Sequence, residues 1–240
     1  MQTAPAGRTH RRSGQWNDSV LLTPRELGMS LGTGPVARTM RFLVLGDSLA
    51  AGTGAAGPDA TLGARLTRVL TGAGHLVDLH VLAVPGATSL DLAAQVRRAA
   101  SVEADVVLLV VGANDLTRRV PPARAAGALG ACVRELRGRG AEVLVVPTPD
   151  LSSVAWVPPA FRAVVAGICD QLRARQTLAA ESAGGVVAAV APELSARFAA
   201  DPSLFSADRF HPSSAGYALV AESLAPQLLA LAAGRQDDAA

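Results

Sequence analysis

The sequence contains no lysine. All 22 of its basic residues are arginine, which excludes Schiff-base catalysis, a Ser-Lys dyad and the lysine of a phosphate-binding P-loop. Cysteine is scarce as well. Cys132 and Cys169 are the two present, both inside segments of helical periodicity, and a disulfide framework needs more cysteines in a smaller domain. They read as buried free thiols. Four histidines without a Cys-x-x-Cys or His-Glu-x-x-His pattern define no metal site, and neither a metal nor a cofactor is expected. Aromatic residues make up 3% of a chain that is 50% hydrophobic, so the core must be built from Ala, Val and Leu. A net charge of +2 gives no strong steering of nucleic acid. Long apolar runs are missing too: none reaches the roughly 18 residues a membrane span needs. In the first 39 residues the longest is Val20-Leu21-Leu22, short of the ~7–15 apolar residues at the centre of a secretory signal. Arg11 and Arg12 without such a centre make no twin-arginine signal, and the expected location is cytoplasmic. Oligomeric state leaves no trace in the sequence.

What the chain does have is alternation. Its 240 residues suffice for one large domain. Residues 1–39, with His10, Arg11, Arg12 and scattered Gly, Thr, Ser and Pro, read as a disordered or loosely docked tail. Met40 stands immediately before the first strand-like run, so a start there would still yield a complete domain. The expected domain spans residues 40–234, followed by a short tail at 235–240. Strand-like runs occur at Phe42–Leu45, Val77–Val84, Val106–Val111, Val143–Val146 and, more weakly, Val186–Val190. Helical spacing fills the gaps: Ala125, Leu129, Cys132, Val133 and Leu136; Phe161, Val164, Val165, Ile168 and Leu172; Tyr217, Val220, Leu224, Leu228 and Leu231. Strands separated by helices predict an α/β chain, a three-layer α/β/α sandwich around a doubly wound, five-stranded parallel sheet.

In such a sheet, function sits in the turns after the strands. The first run ends in Gly46-Asp47-Ser48. Pro85-Gly86-Ala87-Thr88 follows the second and Gly112-Ala113-Asn114-Asp115 the third. A longer loop after the fifth ends at Asp208-Arg209-Phe210-His211-Pro212. Acyl transfer by serine needs a nucleophile, a base, a group that orients the base and donors for the oxyanion. Ser48 is the candidate nucleophile. His211 is the candidate base, and Asp208 lies close enough in sequence to accept from Nδ1 and leave Nε2 facing the serine. The candidate oxyanion donors are the N–H groups of Ser48 and Gly86 and the amide of Asn114. Ser213 or Ser214 can cap the last helix. A histidine base must be neutral to accept a proton, so activity should rise between roughly pH 6 and 8. Each signal alone is an ordinary turn residue; four turns at one end of one sheet point together.

Gly46-Asp47-Ser48-Leu49, Gly86, Gly112-Ala113-Asn114-Asp115 and Asp208-Arg209-Phe210-His211-Pro212 resemble the motif blocks of the SGNH, or GDSL, hydrolases, which include serine esterases, lipases and thioesterases. The blocks stand in family order and span residues 41 to about 232. The resemblance implies a flavodoxin-like sandwich and hydrolysis of a small-molecule ester through an acyl-enzyme. It also implies Ser48, Asp208 and His211 as the triad and Ser48, Gly86 and Asn114 around the oxyanion. It gives turn-supporting roles to Asp47 and Asp115, beside Gly46 and Gly112. Arg209 departs from the pattern by setting a charge next to the base. Two other scaffolds compete. An α/β-hydrolase needs Gly-x-Ser-x-Gly, but Ala50 occupies the second glycine position. A non-catalytic flavodoxin-like ligand- or nucleotide-binding domain could use the small residues from Gly46 to Gly54 to cradle a phosphate, which leaves Asn114, Asp208 and His211 without a role. Leu151 and Trp156, in a proline-rich stretch from 147 to 160, and Phe205 are the candidate pocket residues. Without a long apolar lid, short-chain acyl or acetyl esters are the expected substrates.

Overall fold

The computed structural model describes residues 38–237 apart from residues 153, 155, 190 and 191. The expected tail over 1–39 lies outside the described residues except for its last two. Arg38 is one of these, and it pairs with the buried Asp105 at 2.6 Å.

Five parallel strands form one sheet: β1 (Met40–Gly46), β2 (Val77–Val81), β3 (Val106–Val110), β4 (Glu142–Val146) and β5 (Val186–Val187), in the order β2-β1-β3-β4-β5. This is the flavodoxin-type order. The chain leaves β1 first towards β2 and then crosses back to β3, so a crevice opens beyond the carboxyl ends of β1 and β3. The helices are α1 (Ser48–Ala51), α2 (Leu62–Gly72), α3 (Leu92–Arg98), α4 (Ala113–Thr117), α5 (Pro122–Gly138), α6 (Arg162–Ser182), α7 (Pro192–Ala200) and α8 (Ser214–Asp237).

Alternate strand residues feed two apolar layers, as the pleat requires. Phe42, Val44, Val106, Leu108 and Leu144 pack with Leu62, Leu66 and Leu70 of α2 and with Tyr217, Leu224 and Leu228 of α8. Leu43, Leu45, Val107, Leu109, Val143 and Val145 pack with α3 and α5 on the other side. β2 ends at Val81 as a strand, but Leu82 and Val84 continue donating to the Val44 and Gly46 carbonyls. β5 is shorter than its apolar run, whose last residue is not among those described.

One helical stripe differs from expectation. In α6 the buried positions are Cys169, Leu172, Gln176 and Ala180, whereas Phe161, Val164 and Ile168 are 59%, 59% and 44% exposed. The buried side chain of Gln176 bonds to Thr148 and Val111, on the same face as Cys169, Leu172 and Ala180. Both cysteines are buried free thiols. Among the described residues, one segment, Ser214–Arg235 of α8, is long and apolar enough to cross a membrane by length and composition, with 22 residues and a mean hydropathy of 1.3. Its Tyr217, Ala221, Leu224, Leu228 and Ala232 belong to the core packed on the sheet, which gives the apolar composition a packing role.

Candidate active site

The site begins where β1 stops. Gly46 has φ of +132°, and a Cβ placed there would lie 1.8 Å from the Val110 carbonyl oxygen. Only glycine lets β1 turn this close to β3. The next residue, Asp47, caps α1: its Oδ1 accepts from the Leu49 N–H at 3.0 Å. Its side chain is buried. Burial pushes this carboxyl up to about 6, against the pull of the Leu49 and Gly112 N–H groups. Ser48 follows as the first residue of α1. An N–H in the first turn of a helix has no intrahelical partner, so the Ser48 N–H is available to a ligand.

The candidate base approaches from the other end of the chain. Between Phe205 and Pro212, which form an antiparallel bridge, the loop closes on itself with Ser206 N donating to the His211 carbonyl at 2.8 Å. Asp208 organises it. Its Oδ1 accepts from Ser206 Oγ at 2.8 Å, Phe210 N at 2.8 Å and His211 N at 2.9 Å. Its Oδ2 lies 2.6 Å from His211 Nδ1. Burial opposes ionisation of Asp208, but the hydrogen bonds from His211, Phe210 and Ser206 outweigh it and hold the carboxyl well below the usual carboxylate range. His211 Nε2 then stands 2.9 Å from Ser48 Oγ. Phe210 sits edge-on to the imidazole, with ring centroids 4.8 Å apart. Ser213 caps α8 by accepting from Gly216 N at 3.2 Å, and Tyr217 of α8 donates to the Thr53 carbonyl at 2.7 Å. Those two contacts fix the histidine loop against the turn that carries the serine.

The oxyanion candidates come from the turns after β2 and β3. Gly86 has φ of +82°. Asn114 lies in α4 and donates one amide hydrogen to the Ala87 carbonyl at 3.0 Å, which leaves its second hydrogen free for a ligand. Asp115 is fully buried and accepts from the Ser89 N–H and from Ser89 Oγ at 2.8 Å, so it ties the two turns together. Burial raises its carboxyl above the ordinary range, against the Ser89 hydrogen bonds. A Cβ on Gly112 would lie 1.7 Å from Thr148 Oγ1, which makes glycine obligatory at the start of α4.

Two buried glutamines escaped the sequence reading. Gln95 of α3 accepts from the Gly46 N–H and donates to the Gly46 carbonyl, both at 2.8 Å. Gln176 of α6 accepts from Thr148 N at 2.9 Å and donates to the Val111 carbonyl at 3.0 Å. Each braces a turn of the site from a helix far away in sequence. The only sequence signal was an amide among otherwise apolar helix positions.

From Ser48 a cavity of about 670 Å³ runs past Leu151 and Val154 to Phe198 of α7 and Phe205. Leu151 and Phe205 line it. Trp156 does not: it is 54% exposed and leans on Phe210, ring centroids 6.0 Å apart. Its place is beside a lining residue, Phe210.

A serine on the first turn after β1, met by an Asp-His pair from the last loop of a β2-β1-β3-β4-β5 sheet, defines a hydrolase of the SGNH type. The chain belongs to the GDSL-like lipase/acylhydrolase family, whose family model matches residues 44–219, and it is a carboxylic ester hydrolase by class. It is 37% identical over 213 residues to the GDSL-like esterase Rv1075c of Mycobacterium tuberculosis, covering 84% of this chain and 68% of that protein. The fold is similar to that of TesA, with a TM-score of 0.68 at 22% identity over 80% of this chain and 99% of that one. It is also similar to a variant of Axe2, an acetylxylan esterase from Geobacillus stearothermophilus, with a TM-score of 0.63 at 18% identity over 79% and 94% of the two chains.

Proposed function

We propose that this esterase works through an acyl-enzyme on Ser48. The observation that carries the reading is the line Asp208 Oδ2–His211 Nδ1 at 2.6 Å and His211 Nε2–Ser48 Oγ at 2.9 Å. Asp208, held ionised by its hydrogen bonds, keeps the imidazole in the tautomer with the proton on Nδ1. As Ser48 Oγ attacks the ester carbonyl, Nε2 takes its proton. The oxyanion accepts from the N–H groups of Ser48 and Gly86 and from the free amide hydrogen of Asn114. The carbon–oxygen bond to the alcohol then breaks, and the imidazolium returns the proton to the departing alcohol. A water gives a proton to His211 and attacks the acyl carbon, and Ser48 leaves with that proton as the carboxylic acid forms. Gly46, Asp47, Gly112 and Asp115 hold the turns in place and do no chemistry.

The apolar cavity takes the acyl group. At about 670 Å³ it falls within the range of sites for whole small ligands, much larger than an acetyl group fills. The short-chain expectation is therefore widened to acyl chains well beyond acetyl. Two measurements test the reading. A fluorophosphonate should label the wild-type protein at Ser48 and leave Ser48→Ala unlabelled, and Ser48→Ala should lose turnover of 4-nitrophenyl butyrate. In a series of 4-nitrophenyl esters from two to twelve acyl carbons, kcat/KM should peak above two. Labelling elsewhere, or full activity in Ser48→Ala, would refute the mechanism.

A further inference from the structure

Asn114 and Arg118 lie one helical turn apart on α4, so both side chains point to the same neighbour. That neighbour is the turn after β2. Asn114 donates to the Ala87 carbonyl, and Arg118 Nη2 lies 3.3 Å from where a Cβ on Gly86 would stand. Arg118 ends α4, and Arg119 after it turns the chain with φ of +56°. The side chain of Arg118 is exposed and forms no hydrogen bond or ion pair among the described residues. The counter-charge that feels it is Asp91, whose Oδ2 already accepts from Thr88 N and Thr88 Oγ1 at 2.8 Å each. Arg118 thus offers a permanent positive charge and a fork of donors beside the proposed oxyanion site, without a protein acceptor.

The site is two-sided. The apolar cavity leaves Ser48 towards the turns after β4 and β5, where Val146, Leu151 and Ala188 line it, and Gly86, Asn114 and Arg118 take no part in its wall. Gly86 and Arg118 lie towards the β2 end of the sheet. A planar ester carbonyl held at Ser48 has two substituents. With the acyl chain in the cavity, the alcohol is directed to the other end. We propose that Arg118 is a specificity-determining residue that binds an anionic group, a carboxylate or a phosphate, on the alcohol part of the ester. The preferred substrates then join an apolar acyl chain to a negatively charged alcohol. This inference rests on the nucleophile reading above. When the carbon–oxygen bond breaks, the anionic alcohol takes its proton from His211, and Arg118 keeps its charge throughout.

The test compares two esters with the same acyl chain and similar nitrophenol leaving groups: 4-nitrophenyl butyrate and 3-carboxy-4-nitrophenyl butyrate. For the wild-type enzyme kcat/KM should favour the carboxylated ester by about tenfold, as expected for one charge-assisted contact partly screened by solvent. The preference should shrink as salt is raised. Arg118→Ala should bring the ratio to about one, Arg118→Glu should invert it, and Arg118→Lys should restore part of it. A ratio near one in the wild type, or a ratio that Arg118→Ala leaves in place, overturns the assignment while the nucleophile reading stands. Failure of a fluorophosphonate to label Ser48 overturns both. The ratio is insensitive to a general loss of folded enzyme, because both esters report on the same molecules.

Discussion

Gln95 holds both peptide groups of Gly46: its Oε1 accepts from the N–H and its Nε2 donates to the carbonyl, each at 2.8 Å. The residue two places ahead of the serine is thereby fixed by a helix about 50 positions on, and the angle at which Ser48 leaves the sheet depends on that amide.

Gln95→Leu should therefore be more harmful than a change distant from the reacting atoms suggests. It leaves the buried Gly46 N–H unpaired, at about 1–3 kcal/mol, while the Gly46 carbonyl keeps the Val84 N–H. Denaturant titration should show a loss of about that size, and the surviving folded enzyme should fall in kcat more than it rises in KM. Gln95→Glu, which keeps the acceptor and loses the donor, should lie between the two. A Gln95→Leu protein with wild-type stability would show that the turn holds without the amide.

In the proposed mechanism Asn114 carries two duties, one for each amide hydrogen. Asn114→Ala should lower kcat by about a hundred- to a thousand-fold, the loss expected for one oxyanion donor. The lost bond to the Ala87 carbonyl should cost only about 1 kcal/mol of stability. Steady-state kinetics beside a melting curve separates the two effects. A change in KM alone would place Asn114 outside the oxyanion site.

Asp47 makes stability depend on pH in an unusual direction. Its carboxyl titrates at about 6 in the folded protein, raised by burial from an ordinary 3.8. Between those values the folded chain keeps a proton that the unfolded chain has lost, so stability must fall as pH rises from about 4 to about 6 and then level off. At 1.36 kcal/mol per pH unit, the effect reaches about 3 kcal/mol. Asp47→Asn removes this contribution. Denaturant midpoints measured from pH 4 to pH 7 should show the wild type losing stability relative to Asp47→Asn as pH rises, and parallel curves would contradict the assignment. Asp208 has the opposite sign. Its lowered carboxyl stabilises the fold at neutral pH, and that contribution is lost only as pH falls below the ordinary carboxylate range.

Much of this arrangement was legible in the order of residues. Parallel strands buried on both faces read as unbroken apolar runs, and Phe42–Leu45 and Val106–Val111 did so. The turns were legible because glycine and small polar residues interrupt those runs at Gly46, Gly86 and Gly112. The candidate site could be assembled because its members all fall in turns at the carboxyl ends of strands. Trp156 shows the limit: composition marked an aromatic in a proline-rich connection, but nothing local says which way an indole in an irregular loop will face. The exposed Phe161, Val164 and Ile168 show the same limit for a helix. Their spacing is helical, yet the face that α6 buries is the one carrying Cys169, Leu172, Gln176 and Ala180.

The sequence by itself determined the alternation of strand and helix, the glycines at the turns and the set of groups available for chemistry, since these follow from hydrophobic periodicity and from backbone sterics. Tertiary structure alone decided which of those groups meet. The 2.9 Å approach of His211 to Ser48 spans 163 positions. The bracing by Gln95 and Gln176, the extent of the apolar cavity and the position of Arg118 beside Gly86 likewise depend on how helices pack on the sheet. Packing brings together residues with no local relation in the chain, and no periodicity encodes it.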